Sequence, residues 1–515
     1  MERSVNVTED EADAERQLLR PHRKIAYALG NFFTVLAIAV WFPYNVSFFQ
    51  FVLGLSAKNA GNIVLIAQVG GAISTPLVGM WSDKCSCKIP GRRKIFHLIG
   101  LITLALVMFF LWYKCLGCSH ASEVYQVIYF CCFAIIFQFS WASVQIGQLA
   151  LLPEICVQKR TQVQLNSLRY SFTIIASLVV FGCFWLLLKF YSDDSDKNTG
   201  DTPLTPDDLN IFLIMSAVVI GLGFPSSLLF QFLIPEKVNV NLAKQTWYKW
   251  IVNPRFYLTA LCLIGARIIV LVPQTYMPHY FTITLKMSKS SIAIGPLILY
   301  ISSFFTTLVI KRCRGIIGDN MTYFIGMAVV WGSVIFFWTK SPTDDMSSHF
   351  NWSRDCIFIA TVLLGVGGAM TVVIGLSRIS FLVGKFKGSS AFVYGWILFV
   401  DRISNGIIVS VIQHIVPENS DPDELENHYR NVMVYVPFFA SGLGLTVTFA
   451  FILLDWVTKR GQKTKARTIS KLGSPINYGT GSDSSSIVSG GGTITYEESS
   501  DDESDDDIQR FTETL

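Results

Sequence analysis

Three ionisable residues stand inside long apolar runs: Arg267 in LCLIGARIIVLVPQTY, and Asp401 with Arg402 in YGWILFVDRISNGIIV. Charged side chains surrounded by hydrocarbon are costly, so they persist where they pair with one another or face a polar pathway. Arg267 is thirteen residues past Pro254, about 20 Å along a helix. Asp401 and Arg402 are at similar depth past Ser389. Opposite charges at one level predict an Arg267–Asp401 bridge, with Arg402 free to meet the carboxylate of a small polar or zwitterionic solute. Neighbouring helical residues point about 100° apart, so Asp401 and Arg402 address different surroundings. Tyr394, Asp401 and Asn405 share one face; Arg267 and Gln274 share another. A structural ion pair that locks two helices is the competing reading of the same residues.

Two polar stripes recur at helical spacing. One holds Gln138, Trp141, Gln145 and Gln148; the other holds Asn31, Thr34, Trp41 and Asn45. Stripes of this kind line a wet cavity, or they bond helices together at ~1 kcal/mol per hydrogen bond. Metal and nucleophile chemistry find no support. Cys85 and Cys87 are one residue apart with no histidine or second pair near them, which is poor zinc-ligand spacing. No nucleophile–base constellation is present, so no enzyme and no cofactor is expected. A nucleic-acid partner is excluded for want of a soluble basic domain.

The elements that must position these residues are membrane helices. The 515-residue chain is 51% hydrophobic and 15% charged. Its mean hydropathy is +0.45. Twelve runs are long enough to cross a bilayer core of roughly 30 Å. They fall near 25–53, 60–82, 94–113, 124–152, 167–190, 209–234, 254–284, 291–311, 320–340, 356–383, 389–416 and 431–457. Helices are required, because lipid cannot satisfy open backbone groups. Lysines and arginines number 18 in the even-numbered loops and 9 in the odd ones. The positive-inside rule therefore places the even loops, and both termini, in the cytosol.

The polar first 24 residues read as a cytosolic tail. Residues 25–234 and 254–457 read as two six-helix bundles joined by a linker over 235–253, and count and spacing suggest a pseudo-repeat. Residues 458–515 form a second tail, expected to be disordered, that is basic at first and acidic at its end. Its first lysines and arginines could meet anionic lipid. Of the Asn-X-Ser/Thr sites, only Asn351 lies in a clearly lumenal loop, so it is the glycan candidate. Cys115 and Cys118 face the same side and are read as structural rather than redox-active.

The segment GMWSDKCSCKIPGRRK lies in the loop after the second span. Gly79 allows close helix approach, Asp83 ends a helix, and Gly91, Arg92 and Arg93 follow. This loop resembles the signature loop of the major facilitator superfamily. LLPEICVQKRTQVQLNSLRY, with Glu154 and Arg169, and QVGGAISTPLVG resemble the glycoside–pentoside–hexuronide, melibiose-carrier-like branch. The segments FQFSWASVQIGQLALLPE and SAFVYGWILFVDRISNG are similar to a subfamily within it.

The resemblance implies an all-α fold of twelve transmembrane helices in two bundles. It implies a carrier in lysosome or melanosome membranes that moves cysteine from cytosol to lumen by alternating access, and a gating role for the loop residues. A plasma-membrane location is the alternative. That branch places two aspartates on the second span as a cation site. The matching positions here are Gly71 and Thr75, so sodium coupling there is not expected.

ERQLL, with Glu15, Leu18 and Leu19, resembles an acidic dileucine signal, which implies sorting adaptors as partners beside the solute and membrane lipid. The rival functions are a carrier of a sugar or lysolipid, and a non-transporting sensor or scaffold that uses the acidic tail.

Overall fold

The apolar runs all fold as helices. The computed structural model describes residues 20–85, 91–117, 122–155, 159–192, 204–234, 250–287, 289–339, 352–383, 390–417 and 422–472. The principal helices are α1 (Pro21–Leu29), α2 (Phe32–Ser47), α3 (Ala57–Lys84), α4 (Arg92–Leu111), α5 (Glu123–Ile155), α6 (Lys159–Ser192), α7 (Leu209–Leu233), α8 (Pro254–His279), α9 (Ser291–Thr339), α10 (Trp352–Val383), α11 (Ser390–His414) and α12 (Pro422–Leu472). Together α1 and α2 make the first span, and α9 carries two spans joined at Gly318, where φ is 79°. Among the described residues, twelve helical stretches are long and apolar enough to cross a membrane. Residues through Val447 form one compact unit and Thr448–Leu515 another. In the second, the Arg460 guanidinium lies 4.9 Å over the Trp456 ring.

The first span is broken at Gly30 and Asn31, and the freed backbone groups find side-chain partners. The Tyr27 carbonyl accepts from Gln148 Nε2. The Leu29 carbonyl accepts from Ser227 Oγ at 2.9 Å, and the Phe33 amide donates to the same oxygen at 3.0 Å. The Gly30 carbonyl faces His97 Nε2 at 2.9 Å. Inside a bilayer an unsatisfied backbone group costs several kcal/mol, so such a break survives only with partners of this kind.

A backbone repeat relates the two sets of helices. The first span ends in a π-helical turn, Phe48–Val52, and α8 ends in another, Tyr280–Thr284, 232 residues later. Each turn is followed by a residue of positive φ, Gly54 at 70° and Lys286 at 49°. Gly91, before α4, and Gly318, before the ninth span, also share positive φ. Sequence identity does not reveal this repeat, because backbone geometry carries it.

Packing differs between the two sets. Around Trp41 the core is aromatic, with the rings of Phe137, Phe49 and Trp112 at 5.1, 6.2 and 6.4 Å. The ninth and tenth spans instead approach through glycine. A Cβ on Gly367 would stand 2.7 Å from the Gly326 carbonyl oxygen and 3.0 Å from the Val330 amide. Both obstacles are backbone, which cannot swing aside. Gly367→Ala is therefore expected to cost about 1–3 kcal/mol. Gly332→Ala meets nothing closer than 3.9 Å and should be neutral or slightly stabilising. Thermal melting of the two variants in detergent checks the contrast.

Candidate functional site

Helices α8 and α11 bring the charged residues together. Arg267 Nε lies 3.5 Å from Asp401 Oδ2; the Asp401 side chain is 1% exposed and that of Arg267 is 41% exposed. Asn405, one turn along α11, donates from Nδ2 to Asp401 Oδ1 at 3.2 Å. Both carboxylate oxygens are thus engaged.

Arg402 turns away from this pair, as helical geometry requires. Its guanidinium lies 4.1 Å over the Trp141 ring, and Nη1 donates to Gln138 Oε1 at 3.3 Å. Gly71 of α3 makes room: a Cβ there would stand 2.5 Å from Arg402 Nη1 and 2.8 Å from Gln138 Oε1. The expectation of a free Arg402 is therefore corrected. Its charge is occupied by a cation–π stack and an amide, and it ties α11 to α3 and α5.

The seam along α3 and α11 is notched shut at one end and parts at the other. Near the odd-numbered loops, which carry acidic residues such as Asp421, Asp423, Glu424 and Glu426 and are called the acidic loops below, a Cβ on Gly61 would stand 2.7 Å from Gln413 Cβ, and one on Gly406 2.9 Å from Gln68 Cβ. At the same end Lys289 Nζ lies 3.3 Å from Asp208 Oδ2, and His279 lies 3.4 Å from Ser47 Oγ. Toward the basic loops, a Cβ on Gly79 or Gly395 would have nothing within 4 Å.

Residues 25–382 match the family described as MFS/sugar transport protein. The chain belongs to that family. It is 33% identical over 465 residues to major facilitator superfamily domain-containing protein 12 of Homo sapiens, which covers 85% of this chain and 94% of that protein. The Mus musculus protein of that name is 34% identical over 460 residues, covering 84% and 93%. Among solved structures, the D-xylose-proton symporter aligns with TM-score 0.60 at 14% identity, covering 83% of this chain and 96% of its own. A bacterial homologue of the iron transporter ferroportin in the inward-facing state aligns with TM-score 0.58 at 11% identity, covering 85% and 99%. These two show the fold. The chain is thus a multi-pass membrane transporter of the major facilitator superfamily.

Other residues that this MFS chain was expected to place at the centre are distributed differently. Gln274 is buried farther along α8 and donates to the Tyr300 hydroxyl at 3.1 Å. Tyr394 packs with Phe256, Ala260 and Leu263. Trp41 is sealed in the aromatic core, and the adjacent Phe42 takes the inner position, its ring 5.8 Å from that of Trp141. Asn31 is at the helix break, where its side-chain oxygen accepts from Thr34 Oγ1 at 3.1 Å. Gln145 is half-buried. Signals for these departures exist in part: Gly30-Asn31 is a breaker pair within an apolar run. Nothing in the sequence marks His97 or Ser227 as the partners of that break.

Of the gating candidates, Gly91 has φ of 128° and precedes α4. Arg93 Nη1 donates to Ser82 Oγ. Lys94, not singled out from the sequence, donates from Nζ to the carbonyls of Gln231 and Ile234 at 2.6 and 3.0 Å. Arg169 is half-buried. Asp83, Arg92 and Glu154 have helical backbone, and their side chains lie outside the described residues. So do Asn351, Glu15, Leu18, Leu19 and Cys118. Cys115 is disulfide-bonded. Asn45 is buried and Asn320 accepts from Arg378 Nη2 at 3.0 Å, so neither asparagine is a free glycan site.

Asp401→Leu leaves two guanidinium groups without their shared counter-charge. Breaking a buried pair costs about 3–5 kcal/mol, and the exposure of Arg267 puts the expected loss at the lower end. The double change Asp401→Leu with Arg402→Met should recover a large part of the loss. Thermal melting of the purified variants measures both.

Proposed function

We propose that this transporter moves L-cysteine from the cytosol into the lumen of a lysosome or melanosome by alternating access. Two bundles, residues 25–234 and 254–457, rock about the Arg267–Asp401–Arg402 centre. With the basic loops cytosolic and both termini on that side, the structure is the cytosol-open form.

One observation carries the choice of solute class. Arg267 keeps 41% of its side chain exposed while its counter-ion is 1% exposed. The three charges sum to one positive, and only Arg267 among them combines charge with access. A carboxylate is the ligand that such a guanidinium binds best. The resemblance to major facilitator superfamily domain-containing protein 12 supports cysteine among carboxylate-bearing solutes. Gly71 and Thr75 offer no carboxylate to a metal cation, so uptake is independent of sodium in this reading. Arg402 fills the space beside Gly71 with its own charge.

Radiolabelled cysteine uptake into proteoliposomes or isolated organelles tests the proposal. Arg267→Gln removes a charge-assisted contact worth about 1.5–3 kcal/mol, which is roughly a 10- to 100-fold loss in kcat/KM at equal abundance. Replacing sodium with potassium should leave the rate unchanged. Equal uptake by the wild type and Arg267→Gln would remove this residue from the site. Uptake of a sugar in preference to cysteine would assign the rival cargo.

A further inference from the structure

His279, at the end of α8 near the acidic loops, has no role in the solute site. It is 0% exposed and lies across the seam between the two sets of helices. Nδ1 is 3.4 Å from Ser47 Oγ, and Nε2 is 3.3 Å from Gln50 Oε1. Its ring lies 4.8 Å from that of Phe51 and 5.0 Å from that of Tyr429. The Gln50 oxygen can only accept, so Nε2 carries the hydrogen; Nδ1 faces the Ser47 hydroxyl, and the Thr275 carbonyl, one turn back on α8, is also within hydrogen-bonding reach of the ring. The imidazole thus has uncharged partners on the first span and on its own helix.

A second proton has no counter-charge to meet. The first span contributes Ser47, Gln50 and Phe51, none ionisable in this range. Helix α8 contributes Tyr276, whose hydroxyl donates to the Val409 carbonyl at 3.1 Å. Helix α12 contributes Tyr429 and His428, and His428 is within electrostatic reach of His279. On α11, His414 Nδ1 lies 2.8 Å from the Ser410 carbonyl. At the rim the carboxylates of Glu426 and Asp208 are taken by Lys286 and Lys289, at 2.8 and 3.3 Å. An imidazolium held among these groups would be a buried charge facing a second histidine, with the rim carboxylates already paired to lysines.

We propose that His279 is a proton-binding site whose protonation opens the seam at the acidic-loop end. The unpaired charge is costly while the seam is shut. Parting the helices admits water and removes that cost. The open form therefore binds the proton better, and acidity on that side favours it. A carrier facing an acidic compartment would in this way be biased toward opening into it. The inference rests on the alternating-access reading above.

The test uses the full-length chain in nanodiscs. Fluorophores are introduced as non-natural amino acids at Tyr125 and Ile415, each 65% exposed and near the acidic-loop end. Energy transfer between them reports the opening. In the wild type, the ratio of open to closed should rise about fivefold between pH 6.5 and 5.5, where an accessible histidine titrates. His279→Gln should remain closed over that range. His428→Gln should keep the response. Ser47→Asp gives the imidazolium a partner in the closed form and should suppress opening although His279 is retained.

A wild type without a pH response overturns the proposal, as does a response that persists in His279→Gln. If His279→Gln does not fold, an undiminished response in Ser47→Asp overturns it instead. Adding cysteine at pH 7.5 reads alternating access separately. Opening by cysteine with no opening by acid refutes the histidine site and leaves the carrier reading standing.

Discussion

A single sealed carboxylate organises the centre of this transporter. Asp401 cannot be solvated by water at 1% exposure, so protein groups must meet both of its oxygens. Arg267 supplies one contact and Asn405 the other. That requirement brings α8 against α11 at one register. Arg402, fixed next to Asp401 by the chain, then has to project about 100° away. Its charge needs a seat, which the Trp141 face and Gln138 provide. The seat needs space, and Gly71 has no side chain to occupy it. Four helices are therefore positioned by one buried charge. The three charges leave one positive charge over, on which the proposed carboxylate site rests.

The two ends of the seam differ in how they are held. Near the acidic loops, glycine notches admit glutamine side chains, and the Lys289–Asp208 ion pair crosses at the rim. Near the basic loops, the bonds of Arg93 and Lys94 lie within the first six spans. Each set of helices is firm in itself. Among the described residues the sets are linked at the centre and at the acidic-loop end, while the α3–α11 seam is open around Gly79 and Gly395. Such an arrangement suits two bodies that tilt on one another, with the charged centre at the pivot.

Much of the fold was legible because lipid restricts the choices. Apolar runs about 20 residues long had to be helices. The depth of Arg267 and Asp401 followed from the rise per residue, so their meeting was readable. Arg402 was harder. Sequence gives the angle at which it leaves α11, but not what stands there. Trp41 was misplaced for a similar reason: a tryptophan on a polar stripe suits a cavity wall and an aromatic core equally well, and the phenylalanines around it decide. The break at Gly30 could be suspected from the residue types. Its stability could not, because His97, Gln148 and Ser227 come from three other helices. His279 looked like one more polar residue at a helix end until Ser47 and Gln50, more than two hundred residues away, were seen beside it.

The first span links these features. At its α1 end, the bonds at the Gly30–Asn31 break all run to helices of its own set: His97 on α4, Gln148 on α5 and Ser227 on α7. Those bonds do not change when the two sets tilt. At its other end, Ser47 and Gln50 reach His279 of the second set through contacts of 3.4 and 3.3 Å. These are long for hydrogen bonds and correspondingly weak. The span is thus bonded to its own set at the break, and to the other set by these contacts and by Thr275 Oγ1 donating to the Phe42 carbonyl at 3.1 Å. Separation at the acidic-loop end would break weak neutral contacts and the Lys289–Asp208 ion pair, losses that water can largely replace. Separation at the centre would expose Asp401 and unstack Arg402, which water replaces poorly. In the proposed cycle this energetic difference makes the charged centre the fixed point and the histidine seam the part that moves.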